Sequence, residues 1–252
     1  MSGGVDSSII AKICKDLGRD FRCFCVGIRG SKDIFHAQEI SDYFNLDLVV
    51  KEYSLDEVGL LLKEVIDVLP MPTIEEDNYI EYIVKLTVSA VNLGSMRLGS
   101  EEFFLSGIGA EELFAGYERH LKAVKGGGTW RGIRIGDLKD ESISGLKRMY
   151  NLVFERDKLI SSYISKSFLA PYLADDVIIQ AMNMGNYQKI DSLSNKKILR
   201  NIALDLEIPN EFSDRKKKGA QYGSGFDKAI LKLAKENGFK FKKRYIESLM
   251  GE

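Results

Sequence analysis

The sequence has few cysteines and no long apolar segment, and both shortages narrow the classes of protein it can represent. Its three cysteines, Cys14, Cys23 and Cys25, include no CxxC pair, which disfavours a redox centre or a metal–sulfur site. Such a sparse, odd count without a secretion signal predicts a reducing compartment. No apolar run reaches the ~18 residues that a membrane-spanning helix needs. Asp6 and Lys12 interrupt the first apolar stretch, so we expect a soluble, cytoplasmic protein.

An excess of charge of one sign is also missing. Lys and Arg together number 36 against 37 for Asp and Glu, which leaves a net charge of -1. This balance offers no global electrostatic reason to expect a nucleic acid or a membrane surface as partner. The chain has 252 residues, 44% of them hydrophobic, and can bury a substantial core as one large domain or a domain with a smaller lobe.

The first half of the chain alternates strand and helix patterns. Short apolar runs typical of buried strands occur at 21–28, 47–53 and 101–107, and amphipathic helix patterns lie between them. Cys23 and Cys25 fall within the first of these runs and are expected to pack in the core. The alternation predicts an α/β fold with a mostly parallel sheet and flanking helices.

Capping signals mark where the helices of this half begin. Ser31 is a candidate N-cap for a helix over 32–45. Two capping boxes follow, Ser54 with Glu57 and Thr73 with Glu76, and each is expected to open a further helix.

The second half contains almost only helical patterns. They lie at 110–123, 138–166, 174–184, 195–206 and 226–249. Three consecutive glycines near residue 127 remove backbone restraint and mark a boundary within 120–140. We expect an α/β core over 1–125 and a helical lobe over 126–252 that completes the same site within one continuous domain.

A glycine-rich loop opens the chain and runs directly into an apolar helix. Its residues are Ser2, Gly3, Gly4, Val5, Asp6, Ser7 and Ser8. The glycines allow close backbone approach, and the helix N-terminus adds its positive dipole end, so amides and hydroxyls here can bind phosphate oxygens. Asp6 would repel bare phosphate, which suggests a bridging cation such as Mg²⁺. The alternative is a plain glycine turn with Asp6 as helix cap.

The string SGGVDSS resembles the signature of the PP-loop ATP pyrophosphatases, which cleave ATP between its α and β phosphates. The segment SGIGAEELFAGYER at 106–119 resembles the second ATP motif of the asparagine synthetase family. The resemblance implies an adenine nucleotide alpha hydrolase-like fold, nucleotide contacts from Ser106 and Gly107, and a metal site shared by Asp6 and Glu111.

Two further segments resemble the same family. Residues 25–47 resemble its adenine-side strand and helix, which implies that backbone groups of Val26, Gly27 and Ile28 contact the base. The match over 156–176 is looser and is interpreted as structural.

A basic, glycine-containing stretch at 215–225 lies where the family has a lysine loop over its active site. The resemblance implies that Lys217 or Lys218 neutralises the pyrophosphate or the adenylate. A solvated basic turn is the alternative interpretation.

The sequence departs from the family at Ile108, where asparagine synthetases carry Glu and β-lactam synthetases Tyr. Isoleucine can neither accept a proton nor hydrogen-bond ammonia, which puts the amidation step in doubt.

The family's glutaminase domain and the strand that normally precedes the phosphate loop are both missing from the sequence. A separate glutaminase subunit is one possible source of ammonia. Either the natural chain starts upstream of Met1, or another chain or segment completes the sheet, which would otherwise have a gap or an exposed apolar edge.

These observations predict an ATP- and Mg²⁺-dependent ligase that adenylates a small carboxylate, with aspartate the leading candidate, and then forms an amide with ammonia. Two alternatives stay open. One is a PP-loop enzyme acting on a tRNA base, and the other is a nucleotide-binding regulatory protein without amidation activity.

Overall fold

A computed structural model describes residues 1–70, 76–130, 133–191, 194–215 and 219–251, and within them the chain is mixed α/β with more helix than strand. The strands are β1 (Cys23–Gly27), β2 (Leu48–Glu52), β3 (Phe103–Leu105), β4 (Gly128–Trp130), β5 (Ile133–Ile135) and β6 (Ser167–Leu169). The helices of the first half are α1 (Val5–Asp16), α2 (Lys32–Phe44), α3 (Leu55–Val68), α4 (Glu76–Met96), α5 (Ala110–Leu113) and α6 (Glu118–Val124).

The helices of the second half are α7 (Leu138–Met149), α8 (Glu155–Tyr163), α9 (Asp175–Asn183), α10 (Asn186–Lys189), α11 (Lys197–Asp205), α12 (Asn210–Ser213), α13 (Ala220–Gly223), α14 (Phe226–Glu236) and α15 (Lys242–Leu249). A π-helical turn at Tyr150–Phe154 joins α7 to α8, and a 3₁₀ turn at Pro171–Leu173 precedes α9. None of the helices in the described residues has the length and apolar character needed to cross a lipid bilayer.

The predicted helix starts of the first half are confirmed where they are described. Ser31 Oγ accepts a hydrogen bond from Ile34 N at 3.3 Å and caps α2. Ser54 and Glu57 form the reciprocal capping box of α3. Thr73 lies outside the described residues, so its capping box with Glu76 stays a prediction.

The strands predicted for the first half pair in parallel, but the described strands form three separate two-stranded pairs rather than one sheet. β1 pairs with β2, and β3 pairs with β6. The rings of Phe24 in β1 and Phe104 in β3 pack 5.5 Å apart. The two pairs therefore meet through side chains and not through a backbone ladder.

The outer surface of the β3–β6 pair is apolar. Phe103, Leu105 and Leu169 are all exposed, and the register places Leu105 opposite Leu169. They form an exposed face of the pair, so the expected gap or exposed edge beside the phosphate loop stays a prediction. At β1, the N-terminal ammonium of Met1 donates a hydrogen bond to Phe24 O, so the chain begins alongside that strand.

The second half contains three strands that the helical patterns did not predict. β4 and β5 form an antiparallel pair, and β6 supplies the partner of β3. Each has only three residues, too few to show an alternating pattern. Two predicted helices are also interrupted: 110–123 breaks at Ala115 and 226–249 at Gly238, both of which have positive φ.

Two large apolar clusters hold the molecule together, and each draws on both halves of the chain. One is built around α3, α4, α14 and α15, and the other around α1, α5, α9 and α11. Cys23 and Cys25 are buried in β1 as predicted. Because α11 packs on α1, residues from the end of the chain reach the amino-terminal loop.

Candidate active site

The amino-terminal loop and the turn after β3 lie against each other. Ser106 follows β3, and its N–H donates a hydrogen bond to Leu169 O of β6 at 2.9 Å. A Cβ atom on Gly107 would lie 3.1 Å from Asp6 Cβ, so a side chain at that position would crowd Asp6. The two motifs that resemble ATP-binding segments therefore meet in space.

The loop backbone requires glycine and is held by its own hydroxyls. Gly3 has a φ of +66°, and a Cβ atom there would lie 2.5 Å from the backbone of His36 in α2. Ser7 Oγ and Ser8 Oγ both donate hydrogen bonds to Gly4 O, at 3.1 and 2.9 Å. These bonds fix the start of α1, whose N-terminal dipole end favours anions.

The remaining loop residues support this arrangement. Ser2 N donates a hydrogen bond to Ser7 Oγ at 3.4 Å, and Val5 is buried in the apolar cluster around α1. The 3₁₀ turn adds a contact from the second half, because Tyr172 Oη donates to Asp6 O at 3.0 Å.

The centre of the site is a lysine between the two predicted metal-binding carboxylates. Lys196 Nζ lies 2.7 Å from Asp6 Oδ2 and 2.7 Å from Glu111 Oε1. The Lys196 side chain is 5% exposed and that of Asp6 is 2% exposed, whereas Glu111 keeps 28% of its side chain in solvent. Glu111 is therefore the member of this cluster that faces outward.

The charges of the two neighbouring carboxylates favour the protonated form of Lys196. Burial alone would lower the pKa of Lys196, but the charges of Asp6 and Glu111 and their hydrogen bonds raise it above its ordinary value. An ammonium buried this deeply is tolerated because both carboxylates pair with it.

Neighbouring groups hold Lys196 in place. Its φ of +53° lies in the left-handed region, which lysine seldom adopts. Asn195 Nδ2 donates a hydrogen bond to Gly116 O at 2.8 Å, and Arg200 Nε donates to Asn195 O at 2.9 Å. A Cβ atom on Gly116 would lie 1.8 Å from Glu111 Oε2 and 2.5 Å from Lys196 Cε. A side chain at 116 would therefore force the ends of Lys196 and Glu111 to move from this arrangement.

Sequence reasoning missed both Lys196 and Tyr172 as site residues. One local signal pointed to Lys196. It occupies the N-cap position of α11 and is followed by Lys197. Two adjacent lysines are unexpected there, because the positive end of the helix dipole disfavours cations. Lys197 pairs with Asp191 at 2.8 Å. No local pattern pointed to Tyr172.

A second buried polar cluster lies beside the first. Tyr117 Oη donates a hydrogen bond to Glu112 Oε1 at 2.7 Å, and Tyr117 N donates to His120 Nδ1 at 3.4 Å. Burial raises the pKa of Glu112, with the Tyr117 hydrogen bond opposing it. Burial, with the charges of Arg119 and Lys189, lowers the pKa of His120 to about 3.

The predicted adenine-side backbone lies at the end of β1, and two of its groups are already bonded within the protein. Gly27 O accepts from Tyr53 N at 2.8 Å, and Ile28 N donates to Ser224 O at 2.9 Å. Val26 is buried in the apolar cluster around α3 and α4. A base at this edge would have to use other backbone groups or displace Ser224.

The predicted catalytic lysines, Lys217 and Lys218, lie outside the described residues. The residue that precedes their stretch is close to the loop. Arg215 Nη2 pairs with Glu39 Oε2 at 2.9 Å and Arg215 Nη1 donates to His36 O, and His36 is the residue whose backbone lies against Gly3.

The two carboxylates suit a magnesium ion that also binds phosphate. Since Asp6 and Glu111 both lie 2.7 Å from the same nitrogen, their oxygens converge on one point. Mg²⁺ typically uses one or two carboxylates and takes its other ligands from phosphates and water. Among the described residues no group of three or more His, Cys, Asp or Glu side chains could hold a metal alone.

Comparison with known proteins identifies the family. The asparagine synthase family model matches residues 1–169. The putative asparagine synthetase (glutamine-hydrolyzing) 1 of Methanocaldococcus jannaschii is 29% identical over 98% of this chain and 49% of its own length. Asparagine synthetase (glutamine-hydrolyzing) 1 of Arabidopsis thaliana is 24% identical over 90% of this chain and 39% of its own. The mouse asparagine synthetase domain-containing protein 1 is 28% identical over 55% of this chain and 21% of its own.

The chain therefore spans about half, or less, of the length of the curated relatives it matches. With the family model covering more than half of its residues, and with both ATP motifs meeting at Asp6, the chain belongs to the asparagine synthase family.

Proposed function

We propose that the protein activates a small carboxylate with ATP as an acyl adenylate and transfers the acyl group to an amine. The observation that supports this most directly is the meeting of the phosphate loop, Asp6 and Glu111 around one buried ammonium. A loop of this kind at a helix N-terminus binds anions, and the buried charges supply the fixed field that a phosphate-transfer site needs.

The proposed reaction has two steps. A carboxylate oxygen of the substrate forms a bond to the α-phosphorus, the bond from that phosphorus to the bridging oxygen breaks, and pyrophosphate leaves. The amine nitrogen then forms a bond to the acyl carbon, the bond from that carbon to the AMP oxygen breaks, and AMP leaves while the nitrogen loses a proton to solvent. The loop amides and the start of α1 would hold the phosphates, and Ser106 and Gly107 would border the nucleotide. A magnesium ion held by Asp6 and Glu111 would neutralise charge that develops on the leaving pyrophosphate.

The remaining assignments depend on the same proposal. Lys217 and Lys218 would neutralise the pyrophosphate or the adenylate, an assignment supported by the contact of Arg215 with His36, whose backbone lies against Gly3. Backbone groups near Val26 to Ile28 would contact adenine. The names of the relatives support aspartate as the carboxylate, and their glutamine-hydrolyzing label supports a separate glutaminase as one ammonia source.

The first test is ATP–pyrophosphate exchange with a panel of carboxylates and with tRNA. We expect exchange that depends on aspartate or a close analogue. Asp6→Ala should lower it by about a hundredfold or more, as when a group that stabilises transition-state charge is removed. Asp16→Ala is the matched control, because Asp16 lies on the same helix but is largely exposed and pairs with Lys12.

Three results would change the assignment. Exchange that survives Asp6→Ala would exclude the proposed mechanism. Exchange that needs tRNA and ignores amino acids would favour a tRNA-modifying enzyme. ATP binding without pyrophosphate release under any substrate would favour a nucleotide-binding regulatory protein.

A further inference from the structure

The Lys196 ammonium lies at the point where a divalent ion would bind Asp6 and Glu111. Its Nζ contacts both oxygens of Asp6, at 2.9 and 2.7 Å, and Glu111 Oε1 at 2.7 Å. An ion that used the same oxygens would share them with a positive charge a few ångströms away. In a buried site this repulsion is only partly screened.

The contact is part of a rigid frame and not a chance orientation of a flexible side chain. Asn195 Nδ2 ties the start of α11 to Gly116 O by a hydrogen bond of 2.8 Å, and Arg200 Nε holds Asn195 O at 2.9 Å. Gly116 itself leaves just enough space for the lysine and Glu111. The frame therefore directs the ammonium toward the two carboxylates.

The balance of charge gives this lysine a function. Two carboxylates and one ammonium leave a single net negative charge, which is a weak binding site for a free divalent ion. Nucleotide phosphates change the balance, because they offer the ammonium new anionic oxygens and bring ligands for the ion. We propose that Lys196 is a resident counter-cation that competes with divalent ions for Asp6 and Glu111, so that the metal enters only together with the nucleotide. This proposal rests on the proposed function in one respect: it takes a phosphate compound as the ligand that binds together with the ion.

The test measures metal binding directly, with Mn²⁺ alone followed by electron paramagnetic resonance at neutral pH. Lys196→Gln removes the charge but keeps a hydrogen-bond donor, and Lys196→Met removes both. Each should bind Mn²⁺ more tightly than the wild-type chain, by about tenfold or more. Lys197→Met is the matched control, because the adjacent lysine pairs with Asp191 instead, and it should leave the Mn²⁺ affinity unchanged. Adding Asp6→Asn to Lys196→Gln should abolish the gain.

Circular dichroism checks that the Lys196→Gln variant is folded. If the folded variant binds Mn²⁺ no more tightly than the wild-type chain, the proposal is overturned. The wild-type chain supplies a second test that needs no Lys196 variant to fold. A nucleotide-free Mn²⁺ site tighter than about 0.1 mM that is lost in Asp6→Asn would also overturn it. Neither result depends on pyrophosphate exchange, so failure here and failure of the adenylation assay can be told apart.

Discussion

Glu111 and Glu112 are consecutive residues of α5, yet they lie in two different chemical environments. Glu111 is partly exposed and pairs with the Lys196 ammonium at 2.7 Å. Glu112 is 5% exposed and accepts a hydrogen bond from the Tyr117 hydroxyl at 2.7 Å. Successive residues of a helix point about 100° apart, so one short motif serves both clusters.

The contrast shows that the two neighbouring clusters differ in how their buried charges are compensated. In the first cluster both carboxylates face the Lys196 ammonium, and their charges raise its pKa above the ordinary value. In the second cluster burial raises the pKa of Glu112 and lowers the pKa of His120, so both side chains are shifted toward neutrality. The first cluster can bind a charged ligand, and the second rigidifies the turn that presents Glu111.

The largest expected effect tests this division of roles. Glu111→Gln should reduce ATP–pyrophosphate exchange by about a hundredfold, because it removes a charge aimed at the metal and phosphates. Glu112→Gln should reduce it by less than about tenfold, since glutamine can still accept the Tyr117 hydrogen bond. Similar losses in both variants would show that the two clusters act as one site.

A second comparison concerns the glycine between the clusters. Gly116→Ala should lower the free energy of unfolding by about 1–3 kcal/mol, because its methyl group would overlap Glu111 and Lys196 and force repacking. Gly59→Ala is the control: it lies inside α3, and the nearest atom to its Cβ would be 3.6 Å away. That change should stabilise the protein by about 0.5–1 kcal/mol. Urea unfolding of both variants measures the difference, and an unaffected Gly116→Ala variant would contradict the steric argument.

A third comparison concerns the pH dependence of stability that His120 of the second cluster contributes. His120 has a pKa of about 3 when folded, against an ordinary value of 6.5. At pH values between these two, the His120 imidazole is protonated in the unfolded chain but not in the folded protein. The contribution of His120 to stability therefore falls as pH falls, by about 2 kcal/mol between neutral pH and about pH 5. His120→Asn keeps an acceptor for Tyr117 N but cannot titrate. Urea unfolding should therefore show that His120→Asn is less stable than wild type at neutral pH and that this difference shrinks by about 2 kcal/mol at about pH 5. A difference that stays constant with pH would argue against a buried neutral His120.

The parts of the fold that could be predicted from sequence are those set by local contacts. The N-cap Ser31 and the Ser54–Glu57 capping box depend on residues three apart, and both were predicted correctly. Strand β6 was missed because three residues show no period, and its partner β3 is more than 60 residues away. The interruption of the predicted 110–123 helix was missed because Ala115 adopts a positive φ that its residue type does not announce.

For the candidate site, the sequence by itself determined which residues could bind phosphates and a metal: a glycine-rich loop with Asp6, and an acidic motif with Glu111. Local spacing carries that information, because loop amides, hydroxyls and a helix start act over a few residues. Only the tertiary structure decided that Lys196 joins them, since it lies 190 residues from Asp6 and 85 from Glu111 along the chain. The physical reason is that a buried charge is tolerated only where opposite charges surround it, and folding alone brings those charges together.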